Sequence, residues 1–269
     1  MLESPPFLQR EQIIAASLEP TTDEVKKLVD RLENDYAYWT DAKYRAKGVG
    51  LTPEQLWAHL KAARERKMIV AWPSFGIHFA LTSEMQRVCH ETDLKFGGQW
   101  GSHFLPDKAT RSNYLVSSIF EEAIASSQLE GASTTRRDAM RMLSQGETPK
   151  DKSRLMIFNN YRTIKFLVEH KHEELTPELL MHLHALMTEH TLDKPEDAGR
   201  MRTNNEVVVE NVMTNEVVHQ PPHYEKLPAF VEELCRFFNN DSPTPFLHPL
   251  LRAIIIHFMV AYMHPFVDG

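Results

Sequence analysis

The sequence predicts a mainly α-helical fold, a helical bundle interrupted by one small β-hairpin and preceded by an N-terminal helical region. Three observations carry that expectation. Apolar residues recur every three or four positions in segment after segment. Thr, Thr-Pro or Ser starts and glycine stops bracket several of these segments. Valine-rich runs around turn residues occur at only one place, near Thr214 and Asn215. The expected division is a mostly helical region over 1–110 and a second domain over 111–269.

Taken in order, "TTDEVKKLVDRLENDYAYW" opens with a Thr cap and an acidic first turn, then spaces Val25, Leu28, Val29 and Leu32 at helical intervals. "LTPEQLWAHLKAARERKM" offers Thr52 as N-cap and Pro53 at the first helical position. From about Val70 to Pro106 the pattern weakens, and "KFGGQWGSHFLPD" reads as a glycine-rich loop. Strong helical patterns resume at Ser112. "SNYLVSSIFEEAIASSQLEG" predicts one helix stopping at Gly131. "STTRRDAMRMLSQG" predicts a short capped helix, "SRLMIFNNYRTIKFLVEH" a long amphipathic one, and "LTPELLMHLHALMTEH" a third with a Thr176–Pro177 start. In "LPAFVEELCRFFNN" the spacing places Phe230, Val231, Leu234, Phe237 and Phe238 on a buried face. The apolar run Leu250–Met263 is shorter than a membrane span of about 20 residues, so it reads as a buried core helix whose Met and Phe residues are core. Before it, Val207–Val209 and Val217–Val218 predict a hairpin closed by Pro221 and Pro222, and so small a hairpin must lie against helices.

Composition excludes some functions. The net charge of -7 gives no basic field for nucleic acid or anionic lipid. Cys89 and Cys235 are too few and too far apart for a disulfide framework or a zinc cluster, and fit a reducing compartment. No apolar targeting stretch opens the chain. The expectation is a cytoplasmic protein with no nucleic-acid or membrane partner, for which a homo-oligomer stays open.

The chemistry concentrates in "HPFVDG", residues 264–269. Pro265 disfavours helix at His264, so a base is projected from the end of a rigid element. Phe266 can pin the following loop. Asp268 offers hard oxygens suited to Mg2+, and Gly269 lets backbone N–H groups approach an anion. Base, metal ligand and anion loop describe a phosphate site; a helix end with a packed Phe and an Asp turn describes the same six residues equally well.

"HPFVDG" resembles the start of the Fic-family signature, HxFx(D/E)GNGRxxR. Three further stretches extend the resemblance across roughly 112–269: Gly199 to Arg202 is similar to the family's Gly-x-x-Arg segment, "VVVENVMTNEVVHQPP" to its flap hairpin, and "SSQLEG" to the inhibitory motif (S/T)xxxE(G/N), with Ser126 and Glu130 in the named positions. The resemblance implies a helical enzyme that transfers AMP from ATP, with Mg2+, to a hydroxyl of a target protein. It makes His264 the base, Asp268 the ligand of the Mg2+ bridging the α- and β-phosphates, and Gly269 the start of the phosphate-binding loop. It makes Ser126 and Glu130 inhibitory, and the hairpin at about 206–220 the strand that receives the target.

The sequence departs from the family at Gly269, where the family continues with Asn-Gly-Arg and a second Arg that complete the anion site. The 269-residue chain is therefore expected to be catalytically crippled. Two rivals remain: an enzyme that removes AMP or transfers another phosphate-linked group, and a non-catalytic peptide-binding scaffold. Other histidines offer less. His170, His172, His182, His184 and His190 form no HExxH, and read as surface or satisfied side chains. His219 and His223 are split by two prolines, and no P-loop is present.

Overall fold

The computed structural model describes residues 3–97, 108–211, 213–240 and 245–268. They fall into two compact units, Met1–Trp100 and Gly101–Gly269. Across both, the described residues hold eleven α-helices and two small antiparallel hairpins, the mainly helical architecture that the periodicity predicts.

The first unit contains α1 (Arg10–Leu18), α2 (Asp23–Asn34), α3 (Trp39–Ala42), α4 (Pro53–Arg66), β1 (Met68–Trp72), β2 (Ile77–Ala80) and α5 (Ser83–Thr92). Thr22 caps α2 by accepting the Val25 N–H. Thr52 and Gln55 form a reciprocal capping box on α4, with Pro53 at its first position. Val25, Val29 and Leu32 of α2 then bury against Leu56, Trp57 and Leu60 of α4, with Leu28 partly covered. Trp39 meets Trp57 edge-on at 5.8 Å. The pairing of β1 with β2 is a hairpin that the sequence reading did not anticipate. Its turn is a 3-10 segment, Pro73–Phe75, ended by Gly76 in the left-handed region, and its second strand is four residues long. That is too short for alternation to stand out. Of "KFGGQWGSHFLPD", Lys95–Gly97 belong to a π-turn over Asp93–Gly97, and the rest lies outside the described residues.

The second unit contains α6 (Lys108–Leu129), α7 (Arg136–Gln145), α8 (Lys152–Glu169), α9 (Pro177–Met187), β3 (Val209–Asn211), β4 (Glu216–His219), α10 (Leu227–Asn239) and α11 (Pro249–Met263). Ile124 of α6, Ala139 and Met142 of α7, and Ile157 of α8 make one core. Gly131, at φ +96°, follows the end of α6. The Asn239 side chain bonds both the N–H and the C=O of Leu175 at 2.9 Å, fastening the end of α10 to the segment that enters α9.

Two burial expectations are corrected. Phe230, Val231 and Leu234 are buried, but Phe237 is half-buried and Phe238 is exposed. Periodicity identifies the face of α10, not how far along it the covering elements reach. Helix α11 is likewise no core helix. Met259 and Met263 are buried, whereas Ile254, Phe258 and Tyr262, spaced four apart, are 56%, 54% and 42% exposed. Its sequence is apolar over most of its circumference, Arg252 and His257 apart, while among the described residues only one side is covered. No helix among the described residues is long and apolar enough to cross a membrane.

The β3–β4 hairpin pairs Val209 with His219 and Asn211 with Glu216, with a register shift between Val209 and Glu210. It touches a helix at its base, where His219 Nε2 lies 2.7 Å from the Tyr262 carbonyl. Val217 and Val218 are exposed, so the expectation of a hairpin laid on helices holds only at that end.

Candidate functional site

Helix α11 ends where Pro265 requires it to. His264 caps the helix at φ 45°, ψ 65°, and its N–H still reaches the Val260 carbonyl at 2.9 Å. A left-handed conformation costs a residue with a Cβ roughly 1 kcal/mol or more, so its surroundings must hold it. The side chain of Arg202, 3% exposed, lies beneath this turn. Its Nε donates to the His264 carbonyl at 2.8 Å, and Nη2 to the carbonyls of Met263 and Pro222. Nη1 donates to the Asn204 carbonyl and to Asn205 Oδ1, and the Arg202 N–H donates to the Pro265 carbonyl at 2.8 Å.

The His264 imidazole is partly buried, and desolvation pushes its pKa below the ordinary histidine value. The positive charge of Arg202 acts in the same direction, as does His219 when protonated. The neighbouring Ala261 carbonyl and the charge of Asp268 oppose it. The result is a neutral imidazole at neutral pH. A neutral imidazole carries on one ring nitrogen the lone pair that a base requires.

The loop after His264 is held by a histidine that sequence reasoning set aside. His184 of α9 is 5% exposed; its Nδ1 accepts the Gly199 N–H at 2.9 Å, and its Nε2 lies 2.8 Å from the Asp268 carbonyl. Nδ1 can accept only if the proton sits on Nε2, so the two contacts fix the tautomer. The ring also stacks on Phe266, centroids 3.8 Å apart and planes within 6°. Phe266 thus pins the loop, as expected, but on an imidazole. Glycine suits position 199: at φ +70° an added Cβ would be strained and would lie 3.1 Å from both Ala185 Cβ and the Met181 carbonyl oxygen. The signal for His184 was present in the sequence as an imidazole among the apolar residues of α9, but nothing there named its partners.

The predicted site residues assemble in part. Ser126 and Glu130 at the end of α6, Lys152 and Asn160 of α8, Thr188 and Asp268 line one cavity of about 120 Å³. Two stretches far apart in the chain, the "SSQLEG" end and the "HPFVDG" loop, therefore share a wall. At this size the cavity is below the roughly 300–1,000 Å³ of small-molecule pockets. His264 does not line it. Ser126 is half-buried, while Glu130 and Asp268 are exposed. The expectation for Gly269 lies outside the described residues.

Asp268 fits the demands of Mg2+, which takes one or two carboxylates and leaves its other positions to phosphate and water. Its backbone carbonyl lies 2.8 Å from His184 Nε2, so the main chain of the loop is held at this residue. No group of three or more His, Cys, Asp or Glu that could hold a metal lies among the described residues. A cation here would take its other ligands from phosphate and water.

Comparison with known proteins meets this geometry. Residues 174–269 match the model of the Fic/DOC family. Among solved structures, a Fic family protein from Desulfovibrio desulfuricans superposes with a TM-score of 0.55 at 18% identity, over 71% of this chain and 55% of that one. A Fic domain containing signaling protein from Bacteroides thetaiotaomicron gives 0.51 at 21% identity, over 61% and 62%. Fic-1 from C. elegans gives 0.55 at 18% identity, over 96% of this chain and 72% of that one. The chain thus spans a little over half of the Desulfovibrio protein and about three fifths of the Bacteroides protein. At these identities the superpositions speak for the fold, and the family match supplies the assignment: residues 174–269 form a Fic/DOC domain.

Proposed function

We propose that this Fic/DOC domain is a protein adenylyltransferase that moves AMP from ATP to a hydroxyl side chain of a target protein, and that Glu130 restrains it. The observation that carries the reading is the shared cavity of Ser126, Glu130 and Asp268, which puts the inhibitory stretch against the loop that would handle the nucleotide.

In this reading the neutral His264 takes the proton of the target hydroxyl at its unprotonated ring nitrogen. Asp268 would hold Mg2+, which supplies charge neutralisation at the phosphates. The exposed backbone edges of β3 and β4 receive the target segment as an added strand, and the His219–Tyr262 contact ties that strand to the end of α11. His184 and Phe266 keep the loop to Asp268 in place.

The test is transfer of label from α-phosphate-labelled ATP onto protein, using a chain extended through the family's Asn-Gly-Arg segment. Label should appear with Mg2+ and vanish with His264→Ala. Because His264 lies at a helix end, that variant should keep its fold by circular dichroism. Transfer that survives His264→Ala removes the base from the mechanism; label arriving from another phosphate donor, or label being removed, selects the rival phosphate chemistry.

A further inference from the structure

We propose that Arg202 is a positioning residue for His264, a buried cation whose fork fixes the left-handed turn that carries the imidazole. This rests on the reading of His264 as the base, and goes beyond it by naming what sets the base's geometry.

The guanidinium is spread over acceptors from three separate segments: the end of α11 (Met263 and His264), the stretch after Arg202 (Asn204 and Asn205) and the closing prolines of the hairpin (Pro222). Its own N–H adds the Pro265 carbonyl. All of these acceptors are carbonyl or amide oxygens, none of them a carboxylate, so these contacts leave the positive charge unneutralised. The carbonyls of Met263 and His264 converge on one guanidinium because the positive φ of His264 turns the chain there. The arginine and the turn therefore specify each other. A lysine ammonium is a point donor and cannot span such a set. The charged and titratable groups acting on the His264 ring are Arg202, His219 and Asp268; of these Arg202 alone also bonds the His264 backbone.

The experiment follows the histidine ring signals of the 269-residue chain by NMR across pH, with the His264 signal assigned by its loss in His264→Ala. In Arg202→Gln the His264 titration midpoint should rise toward the ordinary value of about 6.5, while the signals of His59, in the other unit, stay put. Arg202→Lys, which keeps a charge without the fork, should displace the His264 signals yet leave the midpoint nearer wild type. Should neither variant fold, the wild-type protein decides. The Arg202 Nε–H should exchange slowly with solvent and its shift should follow the His264 titration. Unchanged His264 signals in folded variants, or an Arg202 Nε–H that exchanges like those of surface arginines, would overturn the proposal. None of these readouts needs transferase activity. A failed label-transfer assay with the NMR result intact discards the function and keeps the positioning role.

Discussion

His184 and Asp268 are joined through the imidazole Nε2 of one and the main-chain carbonyl of the other, 2.8 Å apart. The contact is made by the main chain, so a side-chain substitution at Asp268 leaves it in place. Asp268→Ala should therefore leave thermal stability within about 0.5 kcal/mol. In a chain carrying the Asn-Gly-Arg segment it should raise the Mg2+ concentration needed for half-maximal label transfer by about tenfold or more. An unchanged Mg2+ requirement would remove Asp268 from the metal site.

The same histidine gives a pH prediction. Burial pushes the pKa of His184 below its ordinary value, and that of His264 moves the same way. The unfolded chain then binds protons more readily than the folded one, so their contribution to stability is fully present above about pH 6.5. It is lost as pH falls through the folded values, where a protonated Nδ1 of His184 would face the Gly199 N–H, donor against donor. Thermal melts from pH 8 to 5 should show stability declining below about 6.5. His184→Gln should flatten that decline and lower stability at pH 8. A slope identical in the variant would detach His184 from the effect.

Asn159 supplies a prediction about packing alone. It is fully buried in α8; its Nδ2 donates to the carbonyls of Met187 and Glu189 at the end of α9, and its Oδ1 has no partner among the described residues. Asn159→Ala strands two carbonyls and should cost about 2 kcal/mol, read as a fall in the urea midpoint. Asn159→Asp should cost more, since it sets an acceptor against those carbonyls. A loss well below 1 kcal/mol in both variants would mean that water replaces the amide.

The helices and their starts were legible because Thr22, Thr52, Thr135 and Thr176 each cap through their own side chain, a local signal. The end of α11 was legible for the same reason, in Pro265. What stayed hidden depends on partners distant in sequence. The exposure of Phe258 and Tyr262 depends on how many elements surround α11, which periodicity cannot count. The partners of Arg202 are mostly main-chain oxygens, and a sequence does not reveal which backbone groups converge. His184 looked like one histidine among several until Gly199 and Asp268 were found on its two nitrogens. Cavity-sharing between Glu130 and Asp268 was implied by the family resemblance, not by spacing.

That shared cavity supports the last prediction. Glu130 directly follows α6, with its N–H on the Ser126 carbonyl at 3.2 Å and its side chain exposed. The resemblance assigns it an arginine partner, the second of the family signature, and a bidentate pair of that kind is strong enough to hold a restrained state when partly desolvated. Replacing Glu130 by glycine costs the fold little: the position is exposed, it lies past the end of the helix, and Gly131 already makes the turn at φ +96°. Glu130→Gly should therefore raise label transfer by about tenfold, the effect of removing about 1.4 kcal/mol of restraint, in a chain extended through that arginine. A chain ending at Gly269 serves as the control and should respond to the substitution with no measurable change. Equal thermal stability of Glu130→Gly and its parent would separate release from unfolding. If transfer does not increase in the extended chain, Glu130 is a solvated side chain beside the loop, and the restraint must be sought elsewhere.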